Sequence, residues 1–235
     1  MSSNNQQYEG TIASLTAIGS NEVPYSQFLP DILPYVNGCA GIMAEAAVAA
    51  AVIEFCERTN WLLYEPAEIS VVSQTAEYAL ALPSNGNYEV SQIVHLAYDG
   101  YELPGKPLEQ IAKMFGFDWR MVSGLPACYT QITNSSVVLV PWPLDTETGA
   151  VTAIASLRPM RSATTVDASI YEKWFEIIAF GVRARLHDTP NQPYYNERAA
   201  AKFRAYFQTG ISRAKMARNQ GLTRGPLIGR PPRMI

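Results

Sequence analysis

The sequence predicts an α+β protein: a helical bundle built from both chain ends, an inserted antiparallel β lobe, and an extended C-terminal arm. Three observations predict it. Apolar residues recur at threes and fours near both ends of the chain, whereas between about residues 61 and 157 the period drops to two, punctuated by Pro, Asn and Gly clusters. No acidic residue follows Glu197, and the final stretch is broken by Gly and Pro. Helices at opposite ends of a chain bury their apolar faces by meeting, so the sheet region between them reads as an insertion.

Residues 1–23 read as a flexible lead; the polar, uncharged residues 1–7 lack the basic and apolar regions of a secretory signal. Pro24 and Ser26 open a short helix through Phe28, Leu29, Ile32 and Leu33, stopped by Pro34 and the Asn37-Gly38 turn. A long helix is expected over 39–60. Its positions Ile42, Ala46, Ala49, Ala50, Ile53 and Cys56 form a narrow face of mostly small side chains for close approach to another helix, with Glu54, Glu57 and Arg58 on the wet side.

Strands follow around Ile69 and Val71, then Tyr78 to Leu82, then Val90, Ile93 and Val94. Asp99-Gly100 can supply the two positive φ values of a type I′ hairpin between residues 96–98 and 101–103. A short helical insertion is expected at 107–115, then strands at 127–132, 137–140 and 151–157, with Asn134-Ser135 as a turn. Helix returns at Asp167 or Ser169, where Ser169 and Glu172 have capping-box spacing, and carries Trp174, Ile177, Ile178, Gly181 and Val182 on its apolar face. The turn at 189–193 ends it. A last helix from near Asn196 places Ala199, Phe203, Phe207, Ile211 and Ala214 on one side and Arg198, Lys202, Arg213 and Arg218 on another. The expected organisation is a lead (1–23), a bundle (24–60 plus 161–220), a β lobe (61–160) and an arm (221–235).

With 235 residues, 48% of them apolar, the chain can build a core without staples. Cys39, Cys56 and Cys128 are odd in number and lack a CxxC pair, which argues against a disulfide framework or a zinc site. The longest apolar run, 46–53, is too short to span a membrane. The segment GYELPGK (100–106) fits the phosphate-loop pattern, but Pro107 replaces its magnesium-binding hydroxyl and the segment leaves a hairpin, so it reads as a turn. His95 and His187 are the only histidines and read as structural, no G-x-S-x-G elbow is present, and the Glu54/Glu57 and Glu65/Glu68 pairs read as solvated faces. No catalytic residue, cofactor site or metal site is expected, so no enzyme is indicated. The 13 tyrosines and 4 tryptophans suit sheet packing first and subunit interfaces second.

Charge is divided unevenly. The last 38 residues carry nine of the 18 basic side chains and no acid, leaving the preceding 197 residues at −12 under an overall −3. Within residues 221–235, Leu227, Ile228, Met234 and Ile235 interleave with Arg224, Arg230 and Arg233, and three prolines and three glycines prevent a regular element. Together with Arg213, Lys215 and Arg218 these residues read as a docking arm. The alternative is a nucleic-acid-binding protein whose basic end contacts phosphates.

Several phrases in order resemble one family: FLPDILPYVNGC (28–39), AVIEFCERTNW (51–61), VVLVPWP (137–143), LRP (157–159), YEKWFEIIAFG (171–181) and Gly210-Ile211. Over about residues 28–220 the chain resembles the adaptor, or head-to-tail connector, proteins of tailed bacteriophages. The resemblance implies a structural virion protein made in the host cytoplasm and located at the neck, pairing a helical bundle with a β-rich lobe. It further implies a ring, typically of twelve subunits, between the capsid portal and the next tail or nozzle component, with no catalytic motif. Transient contact with genomic DNA in the channel is compatible with it. On this reading residues 213–235 grip the portal, residues 61–160 face the tail or neighbouring subunits, and the +9 end offsets repulsion among the −12 bodies.

Overall fold

The computed structural model describes residues 21–83 and 85–220. In order it contains β1 (Glu22–Pro24), 3₁₀ turns at Tyr25–Asp31 and Leu33–Tyr35, α1 (Gly41–Thr59), β2 (Leu62–Tyr64), β3 (Ile69–Val71), β4 (Glu77–Ala79), β5 (Tyr88–Tyr98) and β6 (Tyr101–Glu102). These are followed by α2 (Leu108–Phe115), a 3₁₀ turn at Trp119–Met121, β7 (Cys128–Thr130), β8 (Ser136–Val140), β9 (Glu147–Pro159), β10 (Thr165–Asp167), α3 (Ala168–His187) and α4 (Glu197–Gln220). The class is α+β with antiparallel strand pairing, as the alternating periods predict. The five-stranded sheet has the order β2-β9-β5-β6 with β3 also on β9, and the three-stranded sheet the order β4-β8-β7.

Contacts divide the described residues into two compact units, one of residues 21–62, 85–92 and 156–220, the other of 63–83 and 93–155. In the first, α1, α3 and α4 pack pairwise, and the Tyr25–Asp31 turn lies against α1 and α3. Phe28, Val48, Val52, Phe55, Ile170, Ile178, Val182, Phe207 and Ile211 fill its core. Phe28 meets Tyr171 edge-on at 5.0 Å and stacks on Phe175 at 5.4 Å, while Trp61 meets Trp174 at 5.0 Å. Such offset and edge contacts add to the burial of the rings. At the end of the expected lead, Glu22–Pro24 is ordered as β1, paired antiparallel with β10 through Glu22↔Asp167.

Two local expectations are corrected. The capping-box spacing of Ser169 and Glu172 does not cap α3: the chain enters the helix directly from β10, so Asp167 keeps the extended backbone and its side chain accepts the Ser169 N–H at 2.9 Å. Ser169 is already helical and cannot serve. The expected packing face of α1 is also displaced. The buried row is Ala44, Val48, Ala51, Val52, Phe55, Cys56 and Thr59, whereas Ile42 is 79% exposed, Ala46 is exposed, and Ala49, Ala50 and Ile53 are half-buried. Burial follows the row with the larger apolar volume, which removes more surface from water.

In the second unit, the Asp99-Gly100 turn closes the β5–β6 hairpin with Tyr98 opposite Tyr101, at φ values of 48° and 76°. Tyr129 of β7 faces Leu139 of β8, and Tyr78 of β4 faces Val137. The short helix α2 presses Ile111 into a core with Trp119, Cys128, Val138 and Val140. Gly105 lets the backbone pass close to the Tyr129 ring, where a Cβ would come within 3.1 Å. The Val140-Pro141 peptide is cis.

Candidate functional site

The basic end of the chain is presented by α4. Asn196 caps the helix, its side-chain oxygen accepting the Ala199 N–H at 3.0 Å, and the sunken row Ala200, Phe207, Gly210, Ile211 and Ala214 fixes which face turns outward. Six basic side chains then stand on α4 against Glu197 alone. Arg198, Lys202, Arg213 and Lys215 are exposed, and Arg204 pairs with Asp188 at 2.8 Å. Arg218, in the last turn, reaches the Asn219 side chain at 3.4 Å and complements the negative end of the helix dipole. Of the residues assigned to docking, Arg213, Lys215 and Arg218 therefore share α4; Arg224, Leu227, Ile228, Arg230, Arg233, Met234 and Ile235 lie outside the described residues.

The second feature is a groove of about 910 Å³ along the open face of α1, between Ala46, Ala49, Ala50 and Ile53 on one side and Arg158, Met160 and Arg161 on the other. Its polar groups are largely paired. Arg158 bridges Glu57 and Glu89, the latter at 2.8 Å, and Arg185 bonds Glu54, which also holds Arg58 at 3.0 Å. Glu54 and Glu57, expected as a solvated face, thus anchor α1 to residues far along the chain. Arg161 is exposed and makes no ion pair among the described residues. Sequence reasoning missed this cluster because its partners are 101 residues apart, as for Arg158 and Glu57.

One further arginine is sequestered. Arg183 of α3 is buried, donates to the Asp31 carbonyl, and lies 3.8 Å over the Tyr35 ring with Phe180 and Phe203 within 6 Å. Burial pulls its pKa below the usual arginine value, yet guanidinium stays charged at any physiological pH.

The remaining candidates settle into structural places. The buried His187 ring, stacked on Phe203, uses Nδ1–H to donate to the Tyr194 carbonyl at 2.7 Å, and exposed His95 lies 3.1 Å from Glu102. Burial pushes the Cys56 and Cys128 thiols up, away from the reactive thiolate. Within GYELPGK, Gly105 forms a bridge with Tyr129 and Lys106 N–H bonds the Tyr129 carbonyl at 2.8 Å, so this backbone is already engaged. Among the described residues no cluster of three or more His, Cys, Asp or Glu side chains could hold a metal ion, and no helix is long and apolar enough to cross a membrane.

Among the described residues the arrangement offers charged and apolar surfaces and brings no acid, base and nucleophile together. No curated protein matches the chain. Its sequence does match the SU10 adaptor protein family across residues 24–230, which takes in both compact units. The chain belongs to the SU10 adaptor protein family, a family of tailed-bacteriophage adaptors.

Proposed function

We propose that this protein is a structural virion component forming an adaptor ring, of twelve copies, that joins the capsid portal to the tail at the neck. The single observation that carries the reading is the family match over residues 24–230. Synthesis in the host cytoplasm precedes assembly. The bundle (24–60 plus 161–220) forms the body of the ring, the β lobe (61–160) meets the downstream tail or nozzle component and neighbouring subunits, and the arm (221–235) docks on the portal.

The exposed Arg213 and Lys215, with the half-buried Arg218 one turn on, support the docking role, because like-signed charges on one helix steer an acidic partner from a distance. Arg224, Arg230 and Arg233 would continue that attraction, with Leu227, Ile228, Met234 and Ile235 as apolar anchors. Repetition around a ring lets modest individual contacts hold the joint. No catalytic role or cofactor belongs to this reading.

Negative-stain imaging of the full-length protein with and without portal tests it. Rings that join the portal, and fail to when residues 221–235 are deleted, are the expected result. Protein that ignores the portal and instead binds duplex DNA with a steep salt dependence reverses the assignment in favour of phosphate binding.

A further inference from the structure

The alanine-rich row of α1 raises a question of what covers it. Ile42, Ala46, Ala49, Ala50 and Ile53 follow helical spacing and would suit an apolar neighbour, yet among the described residues this row stays exposed or half-buried while the Val48, Val52 and Phe55 row is buried. Opposite it, Arg158 is occupied by two glutamates, whereas Arg161 stands at the rim without an ion pair among the described residues.

The counterpart lies in and just after α2. Ile111 and Trp119 anchor this segment, but Met114, Phe117, Met121 and Leu125 project outward, Phe117 being 97% exposed and Leu125 77%. The backbone beneath them is fixed, with Met121 N–H on the Asp118 carbonyl at 2.7 Å and Gly124 N–H on the Trp142 carbonyl at 2.9 Å. Bulky apolar side chains concentrated on a held segment mark a contact surface. Beside Phe117, Asp118 is exposed and has no ion pair among the described residues, while the exposed Arg120 lies over the Trp119 ring at 4.9 Å.

We propose that the groove on α1 receives residues 114–125 of a second copy of this chain, with Phe117 against Ala46, Ala49 and Ala50 and with Asp118 opposite Arg161. The two surfaces match in three respects: small side chains line the groove, large ones stand out from the segment, and Asp118 is opposite in sign to Arg161, the neighbouring Arg120 lying over its own Trp119 ring at 4.9 Å. They are different surfaces, so the contact is heterologous. Each copy that gives its knob to one neighbour keeps a groove for the next, which is the geometry from which rings close. This inference rests on the ring reading above and names the contact through which the ring is made.

Full-length protein carrying Ala49→Cys and Phe117→Cys, in a Cys39→Ser background, tests it under mild oxidation, alone and with portal. The expected result is a ladder of cross-linked species beyond the dimer, with no ladder from either single variant and only dimers from a mixture of the two. Rings that form without a ladder overturn the contact and leave the ring reading standing; protein that stays monomeric with portal present overturns both. Cross-linking of the Phe117→Cys variant to portal in place of a second copy also overturns the contact. A charge exchange gives an independent readout on folded surface variants. Asp118→Arg and Arg161→Asp should each weaken assembly by about tenfold. The double exchange should restore it, and a double variant no better than the singles overturns the pairing.

Discussion

Gly181 of α3 and Phe207 of α4 are in direct contact: a Cβ on Gly181 would lie 2.9 Å from the Phe207 ring. The relationship is repeated in reverse one turn of packing away, where Gly210 of α4 faces Ile177 of α3 and a Cβ would meet three Ile177 carbons at once. Large side chains on each helix therefore enter gaps left by glycine on the other, and the two helices approach more closely than Ala would permit.

Replacing Gly210 by Ala is expected to destabilise the protein even though Ala is the better helix former. The helix gains about 1 kcal/mol from propensity, while overpacking a filled contact costs about 1–3 kcal/mol. At Gly210 the larger figure applies, since β-branched Ile177 has little χ1 freedom with which to move away. At Gly181 the obstacle is a ring edge that can tilt, so Gly181→Ala should fall nearer neutral. Urea denaturation of both variants checks the order; a stabilised Gly210→Ala protein would rule out the contact.

Removing Arg158 should be costlier than removing either acid it holds. Arg158→Met leaves Glu57 and Glu89 without it in a partly enclosed groove, while Glu57→Gln still leaves Arg158 paired with Glu89. Side-chain exposures of 27% to 38% let water reach all three groups. The loss should thus be about 1–2 kcal/mol, between exposed and buried pairs. Thermal unfolding at low and high salt measures it, and an Arg158→Met protein as stable as Glu57→Gln contradicts the bridging role.

Periodicity made the helices and most strands legible because those signals are local: α2 at 108–115 lies inside the expected 107–115, and Asp99-Gly100 turns where its φ demands predict. The orientation of α1 was not legible. Alanines satisfy helical spacing on neighbouring rows, and only the volume of Val48, Val52 and Phe55 decides which row sinks. The groove escaped for another reason, since Glu57, Glu89 and Arg158 are brought together by tertiary packing and no spacing rule relates them. The family resemblance was readable because it depended on ordered phrases, and the match over 24–230 bears it out.

Alkaline pH should loosen the fold in a way that Tyr98 helps to set. Burial first, then its hydrogen bond to Glu147 at 3.0 Å, pushes the Tyr98 hydroxyl from 10.0 up to about 12. The folded state holds this proton more tightly than the unfolded chain, so the stabilisation is complete below pH 10 and is lost as the pH rises toward 12. Tyr98→Phe removes that share of the slope. Denaturation midpoints measured across this window should fall less steeply for the variant, and identical slopes would dismiss the Tyr98 contribution.

The basic groups near the end of α4 should govern the rate of docking more than its final strength. Arg213→Gln, Lys215→Gln and Arg218→Gln together remove three positive charges from a helix that has only Glu197 as an acid, and the buried row from Ala200 to Ala214 is untouched, so the fold should survive. Charges of this kind act over a Debye length of about 10 Å at 0.1 M salt, which speeds encounter with an acidic partner before apolar groups seat. The triple variant is therefore expected to associate with portal several-fold more slowly at low salt, to converge on the unaltered protein at high salt, and to dissociate at nearly the same rate. Deleting residues 221–235 should act on the opposite quantity, accelerating dissociation, because Leu227, Ile228, Met234 and Ile235 are lost with it. Biosensor kinetics at two ionic strengths separates these effects. A triple variant that changes only the dissociation rate would place the three charges inside the seated contact and take away their steering role.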